Sequence, residues 1–150
     1  MRFSEVYVDV VRKKAAPIRL EYGIDNEETP AINDPNEELF NVESIDALIY
    51  GIQKSFRFYF QEDDEDFDLN DLCEYDEGIY DKFLRQLKRC KLEDITDVVV
   101  FAKSMFDDSI DYAWTRYDFA THTITEGKKS TWGFKGDKFP TPREVIDSIL

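Results

Sequence analysis

The sequence predicts an α+β fold: an antiparallel sheet of about five to six strands, packed by two central helices and followed by a short C-terminal helix. Two observations lead to this prediction. Strand-like alternation occurs towards both ends of the chain, whereas apolar residues recur every three or four positions in its middle. Strands and helices segregated in this way are typical of α+β proteins. We expect a single domain over residues 1–150, because this length and a 42% hydrophobic composition suffice for one core.

The N-terminal segment alternates as a half-buried strand does. Val6, Val8 and Val10 share one face of this strand. A second alternation over residues 18–24 follows a basic turn at 12–16. Together the two segments predict a β-hairpin.

The middle of the chain is expected to hold a loop, a short strand and two helices. The loop covers residues 25–35, which are polar, include two prolines and show no periodicity. A short strand is expected at 38–42. Helical periodicity then predicts one helix over 44–60. A second is expected at about 76–90, where the acids come early and the bases late, as the helix dipole favours.

The second half of the chain predicts mostly strands. Residues 95–106 fit either a strand or a helical stripe, and we favour a strand because three valines stand together at 98–100. A further strand is expected over 110–119. A last hairpin is expected to pair 122–126 with 131–134.

The predicted C-terminal helix has a clear start. Thr141 is the expected N-cap, Pro142 takes the first helical position and Glu144 completes a capping box. A short helix should therefore run from here to the end of the sequence.

The net charge restricts the classes of partner. The chain has 33 acidic and 19 basic residues, a net charge of −14, which disfavours binding to nucleic acids and to anionic membranes. No apolar run approaches the roughly 20 residues of a membrane-spanning helix, and the charged N-terminus does not fit a signal peptide. We therefore expect a cytoplasmic protein.

Cysteines and metal-like spacing point to no cofactor. Cys73 and Cys90 are too few for a disulfide framework and match no metal or redox spacing, so both are expected to be reduced and structural. Residues 66–77 place acids at several ligand positions of an EF-hand loop, but Asp71 stands where the sharp turn normally requires Gly. We interpret this segment as an acidic loop before the second helix and expect no metal.

Catalytic motifs are lacking. His122 is the single histidine, and the sequence contains no nucleophile elbow, phosphate-binding glycine loop or metalloprotease helix. Paired carboxylates can act as acid and base, but 33 acids will place some pairs close together in any fold. We therefore expect a protein that is not an enzyme. The alternative is a small-ligand-binding domain or an enzyme that uses His122 or a carboxylate pair.

The acidic residues are concentrated between residues 21 and 81, which hold 20 acids and two bases, while the rest of the chain is +4. We expect acidic loops at about 25–37 and 61–75. Such a concentration of like charge costs self-repulsion, so we predict that it forms a partner-binding surface. The predicted contact residues, called the acidic belt below, are Glu62, Asp63, Asp64, Glu65, Asp66, Asp68, Asp71, Glu74, Asp76 and Glu77.

Aromatic residues in the predicted strands extend this surface. Tyr112, Trp114 and Trp132 are of a type that usually lies in a core, yet strands that are apolar on both faces can leave a ring exposed. An exposed ring beside an acidic rim is typical of an interface that receives Arg or Lys from a partner. These three residues are therefore included among the predicted partner-binding residues.

In size, acidity and lack of a catalytic motif, the chain resembles the small acidic immunity proteins that bacteria pair with contact-dependent or polymorphic toxins. Residues 42–52 also resemble a strand-to-helix element of small bacterial α+β proteins. The resemblance implies an inhibitor whose acidic face covers the active site of a basic toxin or nuclease. The alternative that the acidity serves solubility alone, without a charge-based partner, stays open.

Overall fold

The computed structural model describes residues 4–24, 29–59, 77–106, 109–135 and 138–150. Its strands are β1 (Ser4–Arg12), β2 (Ile18–Ile24), β3 (Thr29–Ile32), β4 (Phe56–Tyr59), β5 (Ile95–Phe106), β6 (Ser109–Asp118) and β7 (Thr123–Ser130). Its helices are α1 (Ile45–Lys54), α2 (Glu77–Lys88) and α3 (Pro142–Ile149). The fold is α+β, as predicted. Five strands form an antiparallel sheet in the order β2-β1-β5-β6-β7, and β3 pairs with β4 in a second, smaller sheet.

The main sheet is built around the two elements with the strongest apolar patterns. The N-terminal hairpin is confirmed, and Val8 stands opposite Leu20 in it. The strand interpretation of residues 95–106 is also confirmed, because β5 is the central strand between β1 and β6. Val98 and Val99 are both fully buried on opposite faces of β5. Where a strand is covered on both faces, successive side chains are apolar, which explains the continuous hydrophobic run at 98–102.

The sheet has a core on each face. α1 and α2 cover one face, whereas α3 covers the opposite face. The helices therefore do not all pack on one side of the sheet. Leu48, Ile52, Phe83 and Leu87 contribute the helical part of the larger core. The smaller core comprises Tyr7, Val99, Phe101, Tyr112, Trp114, Val145 and Ile146.

Two predictions for the middle of the chain are wrong. The expected strand at 38–42 is a 3₁₀ turn at Glu37–Asn41, because the Asn36 side chain accepts a hydrogen bond from the backbone of Glu38 and caps the turn. The helix expected over 44–60 ends at Lys54. At its end the Ser55 hydroxyl donates to the Gly51 carbonyl oxygen at 3.0 Å, and the chain continues into β4.

Two further boundaries differ from the prediction. The loop expected at 25–35 contains β3, which pairs with β4. The hairpin expected within 122–134 is absent from the described residues, because β7 runs unbroken past Gly127 alongside β6. The turn comes later, at Gly133, whose φ of 92° suits a glycine.

The remaining helices agree with expectation more closely. α2 buries Tyr80, Phe83 and Leu87, whereas its Ile79 is 41% exposed. The N-cap of α3 is confirmed, since Thr141 Oγ1 accepts a hydrogen bond from the Glu144 backbone at 3.2 Å, and the Glu144 carboxylate lies 3.1 Å from the Thr141 hydroxyl. Within the described ranges, no helix has the length and apolarity needed to cross a membrane.

Candidate functional site

Most of the predicted acidic belt lies outside the described residues. Residues 60–76 are not described, and they include Cys73 and all belt residues except Glu77, together with nearly all of the EF-hand-like segment. Glu77 is the first residue of α2, and only its backbone is described. The prediction that the belt binds a partner therefore stays a prediction.

Two of the three predicted aromatic contacts belong to a core. Tyr112 and Trp114 are buried under α3, where Tyr112 donates a hydrogen bond to the Pro140 carbonyl oxygen at 2.9 Å. Burial, together with the nearby carboxylates of Glu5 and Glu144, raises the pKa of Tyr112 to about 12. These two rings stabilise the sheet and are not presented to a partner.

Trp132 differs from them, because its side chain is 88% exposed. It lies in the turn after β7, beside Phe134, and the Lys129 ammonium group is 5.8 Å from the ring centroid of Phe134. The surrounding segment also contains Lys128, Lys135 and Lys138. Trp132 is therefore an exposed ring on a lysine-rich segment, and its contact with a partner stays a prediction, since the acidic belt lies almost wholly outside the described residues.

An acidic surface does exist within the described residues, at the start of α1. Glu38, Glu43 and Tyr50 line an open groove of about 590 Å³ between the 3₁₀ turn and α1, which we call the acidic groove. All three are exposed, and Tyr50 is 61% exposed. Asp46 lies one helical turn before Tyr50 and is also exposed.

Local sequence explains the shape of the acidic groove. Ser44 caps α1 by accepting a hydrogen bond from the backbone of Ala47 at 3.1 Å, so the helix begins directly after Glu43. Leu39 is fully buried against α1 and holds the 3₁₀ turn in place. A Cβ atom at Gly51 would come within 2.4 Å of the Leu39 side chain. The close approach of the turn to the helix therefore depends on glycine at this position.

The acids of this groove are not neutralised by the described part of the chain. Among the described residues, Glu38, Glu43 and Asp46 take part in no ion pair. No basic residue occurs between Arg19 and Lys54 in the sequence. The groove thus carries unbalanced negative charge.

Bases of the main sheet pair with other carboxylates. Asp9, which is buried, accepts a hydrogen bond from Arg143 Nη1 at 2.7 Å and lies 3.3 Å from Arg19 Nε. Further ion pairs join Lys103 to Glu5 at 3.2 Å, Arg116 to Asp97 at 2.8 Å and to Asp118 at 3.8 Å, and Arg143 to Glu21. These bases are therefore paired with carboxylates, whereas the acids of the groove form no ion pair among the described residues.

The ring of Tyr50 already accepts a cation. Lys54 Nζ, one helical turn further on, is 5.4 Å from the ring centroid. Such a distance is within the range of a cation–π interaction. The groove therefore offers its carboxylates to Lys and Arg side chains of a partner, beside a ring that already accepts one cation from Lys54.

His122, the residue named in the enzyme alternative, lies at a second cleft. This cleft has a volume of about 340 Å³ and is bordered by the start of β5 and the turn between β6 and β7. The imidazole ring of His122 packs on Phe40, with ring centroids 5.0 Å apart. Glu93 lines the same cleft, so histidine and a carboxylate occur together there.

The turn that holds His122 is fixed by Asp118. Its carboxylate accepts backbone hydrogen bonds from Thr121 at 3.2 Å and Ala120 at 3.0 Å. These bonds, with that of Thr121 as the larger cause, hold the pKa of Asp118 below its usual value. His122 itself has a φ of 52°, in the left-handed region that non-glycine residues adopt only where their surroundings enforce it.

Sequence reasoning missed most of both sites. The acidic groove could have been recognised from the run without bases before Lys54 and from Tyr50 on the polar side of a capped helix. Phe40 was expected in a strand, so its contact with His122 was not foreseeable.

Comparison of the chain with protein-family models, with curated proteins and with solved structures found no match.

Proposed function

We propose that this chain is an acidic protein-binding module, an immunity or inhibitor protein that neutralises a basic toxin or nuclease by covering its active site. The observation that carries the proposal is the acidic groove, where Glu38 and Glu43 stand unpaired among the described residues beside the exposed ring of Tyr50. The overall charge of −14 also favours attraction of a basic protein.

The chemistry of the groove fits a basic partner. Nucleases hold phosphates with Lys and Arg, so an acidic surface can occupy the same site and exclude the substrate. Unbalanced carboxylates accelerate the encounter of the two proteins. A partly exposed tyrosine contributes apolar area and accepts a cation on its ring, and such residues often dominate interface energies.

The test is coexpression of this chain with the products of adjacent genes, one at a time. We expect one adjacent product to arrest growth and this chain to restore it. The double variant Glu38→Gln/Glu43→Gln and the variant Tyr50→Ala should each restore growth less well and bind the purified toxin more weakly.

A matched control separates the groove from total charge. The double variant Asp111→Asn/Glu126→Gln removes the same two charges at exposed positions on β6 and β7, and it should protect as well as the wild type. If no adjacent product is toxic, or if both double variants protect equally, the acidity of the groove serves solubility and the proposal is wrong.

A further inference from the structure

The His122 cleft combines an apolar floor with a charged rim. Its floor is formed by Phe40, Val42, Leu48, Leu92, Ile95 and Phe119. Leu48 and Ile95 are buried core residues, so the floor is part of the folded body and not a surface irregularity. A volume of about 340 Å³ is at the lower end of the range for small-molecule sites, which suits a compact ligand.

One cation and one anion stand on the rim. Lys13 and Glu93 are both exposed and both line the cleft. The backbone N–H of Lys13 donates to the carbonyl oxygen of Asp94 at 2.9 Å, which fixes the β1–β2 turn beside the segment that carries Glu93. Within the described residues neither side chain forms an ion pair, so both charges are available to a ligand.

The aromatic part of the lining is held in position by ring contacts. Phe40 packs edge-to-face on Phe119, with centroids 5.4 Å apart, and tilts against His122. The left-handed backbone of His122 aims its ring at Phe40, and the Asp118 cap of the turn maintains this conformation. A strained residue held by its neighbours is a feature often found at ligand sites.

We propose that the His122 cleft binds a free α-amino acid with an apolar or aromatic side chain. The side chain would pack on Phe40 and Phe119, the α-carboxylate would meet Lys13, and the α-ammonium group would meet Glu93. A rim with a single charge of each sign complements a zwitterion better than it complements a simple anion or cation, since either of these leaves one rim charge unpaired.

The test is titration calorimetry of the full chain with three probes of similar shape: L-phenylalanine, hydrocinnamate, which lacks the ammonium group, and phenethylamine, which lacks the carboxylate. We expect L-phenylalanine to bind at least about tenfold more tightly than either analogue, because each analogue loses one charge-assisted contact.

Variants assign the two contacts. Glu93→Gln should reduce the affinity for L-phenylalanine to that for hydrocinnamate and leave hydrocinnamate itself unaffected. Lys13→Gln should reduce the affinity for L-phenylalanine to that for phenethylamine and leave the affinity for phenethylamine itself unaffected. His122→Asn, which tolerates the left-handed backbone, should weaken all three probes. Two control variants remove an exposed charge outside this cleft: Lys14→Gln next to Lys13, and Glu126→Gln on β7. Neither should change the affinity for any of the three probes.

Three results would overturn the proposal. One is no binding of L-phenylalanine or L-leucine at millimolar concentration to a chain whose circular dichroism shows it folded. Another is equal affinity for L-phenylalanine and hydrocinnamate, which would indicate an anion site. The third is equal loss of binding in the control variants. None of these results bears on the acidic groove, so this inference and the proposed function can fail separately.

Discussion

The indole ring of Trp114 lies directly over Gly127, its partner on the neighbouring strand. The two residues are paired across β6 and β7, and a Cβ atom at Gly127 would be 2.1 Å from the ring. An aromatic ring that covers a glycine on the adjacent strand excludes water from its backbone and specifies the register of the two strands. This contact explains why a glycine, usually a sign of a turn, lies within a strand here.

The variant Gly127→Ala should therefore destabilise the fold, by about 1–3 kcal/mol, because the methyl group forces the rigid indole out of its position. The measurement is the free energy of unfolding in urea, with the exposed neighbour Glu126→Ala as the control. In a Trp114→Val background the same glycine substitution should cost much less. A penalty that is the same in both backgrounds would mean that the ring is not its cause.

A second prediction concerns the attachment of α3. Arg143 donates to the buried carboxylate of Asp9 and also to Glu21. Burial alone would lower the pKa of Arg143, but these hydrogen bonds raise it overall. Arg143→Met should cost about 2 kcal/mol in urea unfolding, since it removes a charge-assisted hydrogen bond from buried Asp9, which then keeps, among the described residues, only its ion pair with Arg19.

The control for this prediction is Arg85→Met on the exposed side of α2, which should change the stability by less than about 0.5 kcal/mol. Combining Arg143→Met with Asp9→Asn should cost less than the sum of the two single changes, because both remove the same contact. Additive costs would show that Arg143 stabilises α3 by some other route.

The parts of the fold that sequence reasoning identified depend on local signals. Alternation over β1 and β2 and the capping box at Thr141 both act within a few residues, so each can be recognised before any partner is known. β5 could be recognised because burial on both faces leaves a continuous apolar run. These elements comprise three of the five strands of the main sheet and one of its covering helices.

The elements and boundaries that were predicted wrongly depend on contacts between segments distant in sequence. Phe56 continues the helical periodicity of α1, yet it belongs to β4. Its pairing with β3 outweighs the local preference for helix. The two candidate sites could not be predicted from the sequence for the same reason. Charge counting indicated an acidic region, but not that Leu39 approaches Gly51 and shapes a groove there, nor that Phe40 meets His122.

Tyrosine ionisation should make the fold sensitive to high pH. Burial, followed by the effect of Glu5, raises the pKa of both Tyr7 and Tyr112, the latter to about 12. An unfolded tyrosine titrates near pH 10. The stabilising effect of the neutral phenols is therefore complete below about pH 10 and is lost as the pH rises towards 12.

The measurement is the free energy of unfolding at several values between pH 9 and pH 12. The double variant Tyr7→Phe/Tyr112→Phe should be less stable at pH 9, because Tyr112 loses its hydrogen bond to Pro140, but its stability should fall less steeply above pH 10. Parallel curves for the wild type and the variant would show that other groups control the alkaline transition.

The last prediction separates the acidic groove from the acidic belt. If the belt meets Lys or Arg of the partner directly, neutralising Asp63, Asp64, Glu65 and Asp66 to Asn and Gln should leave the fold intact and weaken the complex by several kcal/mol in total. The association rate should fall steeply with ionic strength in the wild type, since the Debye length shrinks from about 30 Å at 0.01 M salt to about 8 Å at 0.15 M. That salt dependence should be shallower in the quadruple variant. A quadruple variant that associates at an unchanged rate and with unchanged salt dependence would show that the belt is only solvated. The double variant Glu38→Gln/Glu43→Gln, measured in the same way, would then decide whether the groove alone provides the attraction.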